Sequence, residues 1–240
     1  MNDAKKEVYD KVYGSKEISY EPRHGVIAFL YRKLLKFEIN RYQVAYALLP
    51  SGKERLLDVG CGDGHFLFLA KNKFKDCYGV DVSSLRITRA KEKSKERLDR
   101  DSFHLYEGDV DEGLPFDNSF FDAVSCIAVL EHVFNPPNVV EEIYRLLKPN
   151  GVFIVEVPNI AWIPCRIQLL FGKLPVTGGV YLGVDWEHLH NFTKATLCQL
   201  LTKKGFKIKD ISCSGIFAEY RKWWSSALGG DLVVKSARRE

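Results

Sequence analysis

The amino-acid sequence predicts an α/β fold, a doubly wound and mostly parallel sheet with helices on both faces. The first observation is that short apolar runs, typical of buried strands, alternate with helix-like stretches between residues 55 and 157. The second is a turn with glycines at positions 60, 62 and 64, directly after the first of these runs. The third is a helix-like stretch from residue 193, followed by two more strand-like runs.

The predicted elements follow one another at short intervals. A helix over residues 24–49 comes first, because apolar side chains recur there at helical spacing, and Pro50-Ser51-Gly52 ends it. Apolar runs then predict strands over residues 55–59, 77–82, 103–106, 120–129, 152–157, 206–212 and 232–237. Further helices are predicted over residues 64–72, 83–98, 135–147 and 193–204, the last three starting at Ser83, at Asn135-Pro136-Pro137 and at Thr193.

The length of 240 residues suits a single domain. We expect this domain to carry an N-terminal helical cap over residues 1–50 and an insertion over residues 158–191 on the substrate side. In the insertion the strand–helix alternation stops, and prolines, glycines and large apolar residues take its place. Because it follows the fifth strand, we expect it to form an apolar lid or pocket wall at the carboxyl edge of the sheet.

Composition argues against several classes of protein. A net charge of +4, from 35 basic and 31 acidic residues, is too small to favour nucleic acid as a partner. The six cysteines form no C-x-x-C pair and no cluster with zinc-ligand spacing, so the sequence predicts no metal site and a reducing, cytoplasmic setting. Neither an apolar leader segment nor an apolar run long enough for a membrane span is evident.

The glycine-rich turn, Asp58-Val59-Gly60-Cys61-Gly62-Asp63-Gly64, joins a predicted buried strand to a helix. Open α/β sheets bind nucleotides at such a turn, because glycine lets a ligand approach the backbone closely. Asp81 ends the second strand, and an acid about 20 residues after the glycines can accept hydrogen bonds from both hydroxyls of a ribose. A dinucleotide and an adenosine both remain open as ligands at this point.

A second acid, Asp109, follows the third strand in the run Glu107-Gly108-Asp109-Val110. A carboxylate there can accept a hydrogen bond from an adenine amino group, with the Val110 amide beside it. The other interpretation is an ordinary Gly-Asp turn. In register with the glycine turn and Asp81, the position favours an adenosine-containing ligand.

Together these stretches resemble the successive motifs of class I S-adenosylmethionine-dependent methyltransferases. The closest pattern is the small-molecule branch called type 11, which is similar to the ubiquinone-biosynthesis methyltransferases. The resemblance covers about residues 45–212, and its motifs lie at residues 58–66, 80–83, 108–110, 114–133 and 146–151. It implies a Rossmann-like fold, a seven-stranded sheet with an antiparallel last strand, and S-adenosylmethionine as cofactor. One departure is Asp63, where many relatives carry a small residue, and we expect its side chain to point outward.

The resemblance also implies a place for each matched residue around the cofactor. The methionine part would be flanked by Asp58, Gly60, Cys61 and Gly62. The ribose would be bound by Asp81, with Val82 beside it, and the adenine by Asp109 and Val110. The sulfonium and its methyl group would be bordered by Cys126 and Ile127, which leave the fourth strand.

The run Asn135-Pro136-Pro137-Asn138 resembles, superficially, the Asn-Pro-Pro-aromatic signature of methyltransferases that act on nucleic-acid amino groups. That signature directly follows the fourth strand and ends in an aromatic residue. Here the run comes several residues later and ends in Asn138, so it indicates the start of a helix. We therefore expect no nucleic-acid substrate.

Histidines after the insertion are the candidate catalytic residues. His188 and His190 follow Asp185 and Glu187, and a histidine there can deprotonate a hydroxyl acceptor. The other interpretation is structural, because similar runs in relatives simply lead into the next helix. His132 allows the same two interpretations, and the structural one is favoured.

The sequence therefore predicts methyl transfer from S-adenosylmethionine to a small molecule, at oxygen because of the histidines and the missing amino-methylation signature. The apolar insertion favours an acceptor that is partly hydrophobic or is linked to a lipid or a glycan. Two alternatives remain: a non-catalytic S-adenosylmethionine-binding subunit and a nicotinamide-dependent oxidoreductase. The glycine fingerprint of the oxidoreductases requires a glycine at the position of Phe66. Trp223-Trp224 marks either an interface or pocket rim, or a contact with the N-terminal helix.

Overall fold

The computed structural model describes residues 38–175, 177, 180–181, 184–185 and 188–239. Within these residues the predicted architecture is confirmed: a seven-stranded, mostly parallel sheet with helices packed on both faces. The strands are β1 Glu38–Ile39, β2 Lys53–Val59, β3 Phe74–Asp81, β4 Phe103–Glu107, β5 Phe121–Ile127, β6 Leu147–Pro158, β7 Val180–Tyr181, β8 Val184–Asp185, β9 Phe206–Cys213, β10 Gly215–Ile216 and β11 Asp231–Arg238.

The helices connect the strands, and several of them begin after a side chain that caps the helix. They are α1 Arg41–Leu48, α2 His65–Ala70, α3 Ser84–Lys95, α4 Pro136–Leu146, α5 Ile163–Leu170, α6 Lys194–Lys203, α7 Ala218–Arg221 and α8 Ser225–Leu228. The side chains of Ser83, Asn135 and Thr193 each accept a hydrogen bond from a backbone N–H in the first turn of the helix that follows. The three predicted helix starts are therefore confirmed.

The main sheet has the strand order β4-β3-β2-β5-β6-β11-β9. The first five of these strands run parallel, and β11 is antiparallel to both β6 and β9. The carboxyl ends of β2, β3, β4, β5, β6 and β9 consequently lie along one edge of the sheet. Strands β3 and β4 are added on one side of β2, and β5 and β6 on the other side. Open α/β sheets bind their ligands in the crevice at such a switch point.

Two apolar layers bury the two faces of the sheet. One layer is formed with the apolar sides of α4 and α6, and the other with those of α1, α2 and α3. The layers account for the near-continuous apolar runs of the central strands, since strands covered on both faces expose few side chains to water. Five of the six cysteines are buried, three of them in these layers, and all six are free thiols.

The prediction of one helix over residues 24–49 is wrong in the described part of that range. Residues 38–39 form strand β1, which pairs with β10, and the helix begins only after Asn40. The Asn40 side chain accepts a hydrogen bond from the Gln43 N–H, and the Gln43 side chain accepts one from the Asn40 N–H. This reciprocal cap fixes a helix start that the apolar spacing alone does not reveal. The range 24–37 lies outside the described residues.

The insertion contains structure that the sequence did not predict. Helix α5 follows β6, and the short strands β7 and β8 pair with each other. Val176, the Gly178-Gly179 pair, Leu182, Gly183, Trp186 and Glu187 lie outside the described residues. No helix in the described part of the chain is long and apolar enough to cross a bilayer.

Candidate active site

A cleft opens where the carboxyl ends of β2, β3, β4 and β5 meet. It encloses ≈ 680 Å³, including space open to solvent. Backbone and side chains from the four strand ends line it: Val59, Gly60, Val80, Asp81, Val82, Ser83, Arg86, Gly108, Asp109, Val110, Asp111, Ala128, Val129, His132 and Val133. Five of the ten predicted cofactor residues are among them, namely Gly60, Asp81, Val82, Asp109 and Val110.

The glycine turn forms one wall of the cleft. The N–H groups of Gly60 and Cys61 both donate to the Val80 carbonyl, at 2.8 and 3.0 Å. Gly60 has a φ of +70°, and a Cβ atom there would lie 2.2 Å from Cγ2 of Val129. Only glycine meets both conditions, so the turn needs Gly60 for its conformation and for its close contact with the opposite wall.

Asp81 is anchored at the floor of the cleft, where β3 ends. Its Oδ2 accepts a hydrogen bond from the Gly62 N–H at 2.8 Å, and its Oδ1 accepts one from the Ser83 N–H at 2.9 Å. Burial raises the pKa of this carboxyl, although the Arg86 guanidinium acts in the opposite direction. Asp81 therefore joins the glycine turn to the start of α3 and keeps its carboxylate in the cleft wall.

Arg86, from the first turn of α3, also lines the cleft. Arg86 was not among the predicted site residues, but a Cβ atom on Gly62 would lie 2.5 Å from its guanidinium. Its Nε lies 3.6 Å from an oxygen of Asp63, which also accepts a hydrogen bond from Lys93 Nζ at 3.0 Å. Asp63 thus faces α3 and away from the cleft, as predicted, and helps to hold Arg86 over the glycine turn.

Asp58 lies behind the wall, on β2. It is 3% exposed, and Oδ1 accepts a hydrogen bond from Ser125 Oγ on β5 at 2.7 Å. Burial raises the pKa of the Asp58 carboxyl to about 7, despite the hydrogen bond from Ser125. The structure thus contains a carboxyl next to the turn that titrates near neutrality.

The opposite end of the cleft is formed by residues that follow β4. Asp109 caps a short 3-10 helix, Val110–Glu112, by accepting a hydrogen bond from the Asp111 N–H. The Asp111 carboxylate in turn accepts hydrogen bonds from the N–H groups of Phe134 and Asn135. The loop that leads into α4 thus holds Asp111, and through it the short helix that Asp109 caps.

The loop after β5 supplies the remaining wall. The sequence placed Cys126 and Ile127 at the reacting part of the site, but both are buried, 0% and 7% exposed, in the two opposite apolar layers. The next residues, Ala128 and Val129, line the cleft instead, and Ala128 has a φ of +53°. The reversal at Ala128 ends the strand and turns the following side chains into the cleft. Asp58, Cys61 and Gly62 likewise lie behind the lining residues.

A cluster of titratable side chains adjoins this loop. His132 lines the cleft, its Nε2 lies 3.8 Å from Oε1 of Glu131, and its ring lies 4.8 Å from that of His188. Ligand atoms of the three residues all lie within 4.8 Å of one another, which would allow them to hold a divalent cation after a small adjustment. The cluster was not recognised from the sequence, although Glu131 is an ionisable residue within an otherwise apolar run.

Glu131 is buried, and neither of its carboxyl oxygens accepts a hydrogen bond from the residues that the structure describes. Burial and the carboxylate of Glu156 raise the pKa of Glu131 well above its ordinary value. Burial also raises the pKa of Glu156 to about 7, against the effect of Arg41, whose guanidinium donates to Glu156 at 3.4 Å. A carboxyl kept without partners in the interior is costly, which is a common sign of a functional site.

The two predicted catalytic histidines occupy different surroundings. His188 packs on His132, and its Nδ1 lies 2.9 Å from Oγ1 of Thr177. His190 does not line the cleft, and its Nε2 lies 3.3 Å from the carbonyl oxygen of Phe134. His188 therefore adjoins the cleft through its contact with His132, whereas His190 contacts the loop before α4.

The residues present fit an adenosine-containing cofactor. Two anchored acids, Asp81 and Asp109, lie on the lining of one cleft. Because Gly60 has no side chain, its backbone on the same lining is open to a ligand. The fold and this cleft together define an α/β protein that binds a nucleotide-like ligand at the switch point of its sheet.

Comparison with known proteins specifies the class. Residues 30–211 match a family model described as a methyltransferase domain. A demethylmenaquinone methyltransferase of Leptospira interrogans is 32% identical over 176 residues, 65% of this chain and 69% of that protein. A demethylmenaquinone methyltransferase of Staphylococcus haemolyticus is 28% identical over 229 residues, 89% of this chain and 92% of that protein.

Solved structures show the same fold. An S-adenosylmethionine-dependent methyltransferase of Thermotoga maritima, described as a possible histamine N-methyltransferase, superposes with a TM-score of 0.64 at 18% identity and covers 98% of this chain and 99% of that one. The chain belongs to the methyltransferase domain family. It is a class I S-adenosylmethionine-dependent methyltransferase of the small-molecule type, and S-adenosylmethionine is its cofactor.

Proposed function

We propose that the chain transfers the methyl group of S-adenosylmethionine to a hydroxyl group of a partly hydrophobic small molecule, with His132 as the base. The observation that carries the proposal is the position of His132 on the cleft lining, in the loop after β5 and in contact with His188. A histidine at this place can accept a hydroxyl proton near neutral pH. The relatives described above are named for methylation of a quinone precursor, which supports an aromatic, lipid-soluble acceptor.

The cofactor supplies an electrophilic methyl group. The residues of this chain supply binding, orientation and proton transfer, which carry much of the catalysis of an in-line displacement. The His132 imidazole accepts the hydroxyl proton of the acceptor, whose oxygen would take the methyl group that the bound cofactor supplies. His188 orients that imidazole by ring contact, and the buried carboxyl of Glu131 adjoins it at 3.8 Å.

We also propose the cofactor contacts that the motifs imply. Asp81 and Val82 bind the ribose, Asp109 and Val110 bind the adenine, and the remaining contacts lie at the methionine and methyl ends. Of the residues predicted there, Gly60 lies on the cleft lining and would contact the cofactor directly. The others lie behind the lining and would shape the site from there: Asp58, Cys61, Gly62, Cys126 and Ile127. The anchored carboxylates of Asp81 and Asp109 on the two ends of one cleft support this division.

The wider context of the enzyme is part of the proposal. A single methyltransferase domain carries a cap over residues 1–50 and a substrate-side insertion over residues 158–191. The exposed apolar residues of the described part of the insertion support an acceptor that is partly hydrophobic or is attached to a lipid or glycan. Six free thiols support a reducing, cytoplasmic setting.

The test is methylation of a panel of hydroxylated aromatic compounds with an isotopically labelled donor, followed by mass spectrometry to locate the methyl group. We expect O-methylation, and a His132→Gln variant with kcat reduced by roughly 10²- to 10⁴-fold at unchanged affinity for the cofactor. The matched control is His104→Gln, since His104 stacks on Tyr78 away from the cleft lining. Methylation at carbon, or an unchanged kcat in His132→Gln, would contradict the proposal.

A second candidate replaces the histidine base by a bound cation. The clustering of Glu131, His132 and His188 within 4.8 Å favours it, because a cation there would bind the acceptor oxygen and lower its pKa. Treatment of the enzyme with a chelator distinguishes the two. Loss of turnover that returns on addition of Mg²⁺, Mn²⁺ or Zn²⁺ supports the cation, whereas chelator-resistant turnover supports His132 as the base.

A further inference from the structure

A run of nine consecutive residues, 166–174, is exposed to solvent along α5 and the loop that follows it. Five of the nine are large apolar side chains: Ile167, Leu169, Leu170, Phe171 and Leu174. Leu170 is 81% exposed and Phe171 is 73% exposed. An ordinary surface helix hides one apolar side against the core, but in α5 only Cys165 is buried. A helix of this composition needs an apolar environment that the described part of the chain does not supply.

A second exposed apolar segment lies between β9 and β11, at residues 217–224. It presents Phe217, Tyr220, Trp223 and Trp224, with Tyr220 76% exposed and Trp223 78% exposed. Trp223 and Trp224 lie near each other, with ring centroids 6.1 Å apart, and Trp223 is not buried by any neighbouring element. Trp223 is therefore largely open to solvent among the described residues. The part of the predicted N-terminal helix before residue 38 lies outside them.

Hydrogen bonds hold the first segment next to the second. The Arg166 guanidinium donates to the Ser226 carbonyl at 3.3 Å, two residues after Trp224. Directly before α5, the buried amide of Asn159 donates to the carbonyls of Ser225, Ser226 and Gly229. Both segments leave the carboxyl edge of the sheet, one after β6 and the other after β9. We refer to residues 166–174 and 217–224 together as the apolar rim.

The charges within the apolar rim are almost all positive. It carries Arg166, Lys173, Arg221 and Lys222 against a single acid, Glu219. Arg166 and Arg221 donate to backbone carbonyls, and none of the four basic groups lies in an ion pair with a carboxylate of the described residues. Their charge is therefore available to an anionic partner.

We propose that the apolar rim docks the protein on the surface of a lipid bilayer that contains anionic headgroups. Exposed leucine and phenylalanine side chains would enter the boundary between headgroups and acyl chains, tryptophan and tyrosine would lie at the headgroups, and the basic groups would meet lipid phosphates. Helix α5 has only eight residues, which suits a helix lying in the plane of the interface. A protein partner is the other occupant of such a surface, but the combination of aromatic residues and unpaired positive charge favours the anionic lipid.

The position of the apolar rim relates docking on a bilayer to methyl transfer in the cleft. The rim and the cleft both lie at the carboxyl edge of the sheet, so a protein resting on a bilayer through the rim presents that edge to the lipid. A lipid-soluble acceptor would then reach the cleft without crossing water. This relation rests on the proposed function, whereas the docking itself depends only on the exposed residues and their charge.

The test is sedimentation of the full chain with vesicles of phosphatidylcholine alone or mixed with phosphatidylglycerol. We expect binding to the anionic vesicles at least tenfold tighter than to phosphatidylcholine, weakening as salt is raised. The double variant Leu170→Glu/Phe171→Glu should lose binding to both. The matched control is Leu98→Glu, because Leu98 is also fully exposed but lies in the connection after α3.

Charge variants separate the lipid from other occupants. Lys173→Glu/Lys222→Glu should weaken binding to anionic vesicles by roughly 25-fold or more, since each basic group near such a surface contributes about 1 kcal/mol. Lys91→Glu/Lys95→Glu on α3 is the control and should bind normally. Cofactor affinity, measured on every variant, reports on folding independently of methyl transfer. Equal binding to both vesicle types, no binding, or self-association abolished by Leu170→Glu/Phe171→Glu would overturn the proposal.

Discussion

At the scale of single residues, Asp81 has two tasks that the structure makes visible. Its carboxylate accepts hydrogen bonds from the backbone of the glycine turn and from the start of α3, and it also lines the cleft. A residue with both tasks affects cofactor binding through direct contact and through the shape of the turn.

We therefore expect Asp81→Ala to abolish measurable binding of S-adenosylmethionine in titration calorimetry. Asp81→Asn should bind weakly, because one amide oxygen still accepts a hydrogen bond but the charge is lost. The matched control is Asp99→Ala, whose carboxylate pairs with Arg97 away from the cleft lining. Unchanged affinity in Asp81→Ala would rule out its proposed contact with the ribose.

The sequence predicts residues well where the backbone alone sets their position. Asp81 and Asp109 lie at strand ends, and strand ends are marked by the apolar runs before them. Arg86 and Glu131 were not predicted, because the direction of a side chain on α3 or in the loop after β5 depends on packing between distant elements. Cys126 and Ile127 were predicted to border the cleft, but Ala128 and Val129, two residues further along the chain, line it instead. The turn at Ala128 that causes this shift is not evident from residue type.

At the scale of elements, the glycine turn between β2 and α2 depends on the loop after β5. Gly60 and Gly52 both have positive φ, +70° and +67°, but a Cβ atom on Gly52 would meet nothing within 4 Å. The same substitution at the two positions therefore separates backbone strain from steric conflict with Val129.

We expect Gly52→Ala to lower the free energy of unfolding by about 1–2 kcal/mol, as expected for an L-residue in the left-handed region, and to leave cofactor affinity unchanged. Gly60→Ala should be more destabilising and should weaken cofactor binding, because its methyl group displaces Val129 from the cleft wall. Urea unfolding and calorimetry measure the two effects. Equal behaviour of the two variants would show that the contact with Val129 does not shape the site.

Elements were predictable where apolar runs are long and caps are strong. The central strands, α3, α4 and α6 agree with the prediction to within a few residues because each combines a clear apolar pattern with a marked start. Helix α5 was not predicted, because its apolar residues do not follow the spacing of a helix that packs on a core. The break at Asn40 was missed because a reciprocal side-chain cap overrode an apolar pattern that continued through it.

At the scale of the whole molecule, buried carboxyls link stability to pH. The pKa of Asp58 is raised to about 7 from an ordinary value of 3.8, so the folded protein takes up a proton between about pH 4 and pH 7. The contribution of this group to the free energy of unfolding is largest below that pH window and is lost as pH rises through it.

Asp58→Asn should remove this penalty. The gain in unfolding free energy over the wild type is expected to grow by about 3 kcal/mol between about pH 5 and about pH 8. Asp122→Asn is the opposite control: burial raises the pKa of Asp122, but the hydrogen bond from Lys148 prevails and lowers it, so the variant should lose stability across the neutral range. Urea titrations at the two pH values measure both, and a pH-independent gain in Asp58→Asn would contradict the assignment.

The strand order of the sheet was predictable only through resemblance to a family, because apolar runs give the number of strands but not their neighbours. The placement of β11 between β6 and β9 has a consequence for how the protein is made. While a ribosome is still synthesising the last strand, β6 has no partner on its outer side and β9 has none at all within the main sheet. The growing chain therefore carries open strand edges until residues 231–238 have left the ribosome, and chaperones that bind such edges would be needed most in that interval.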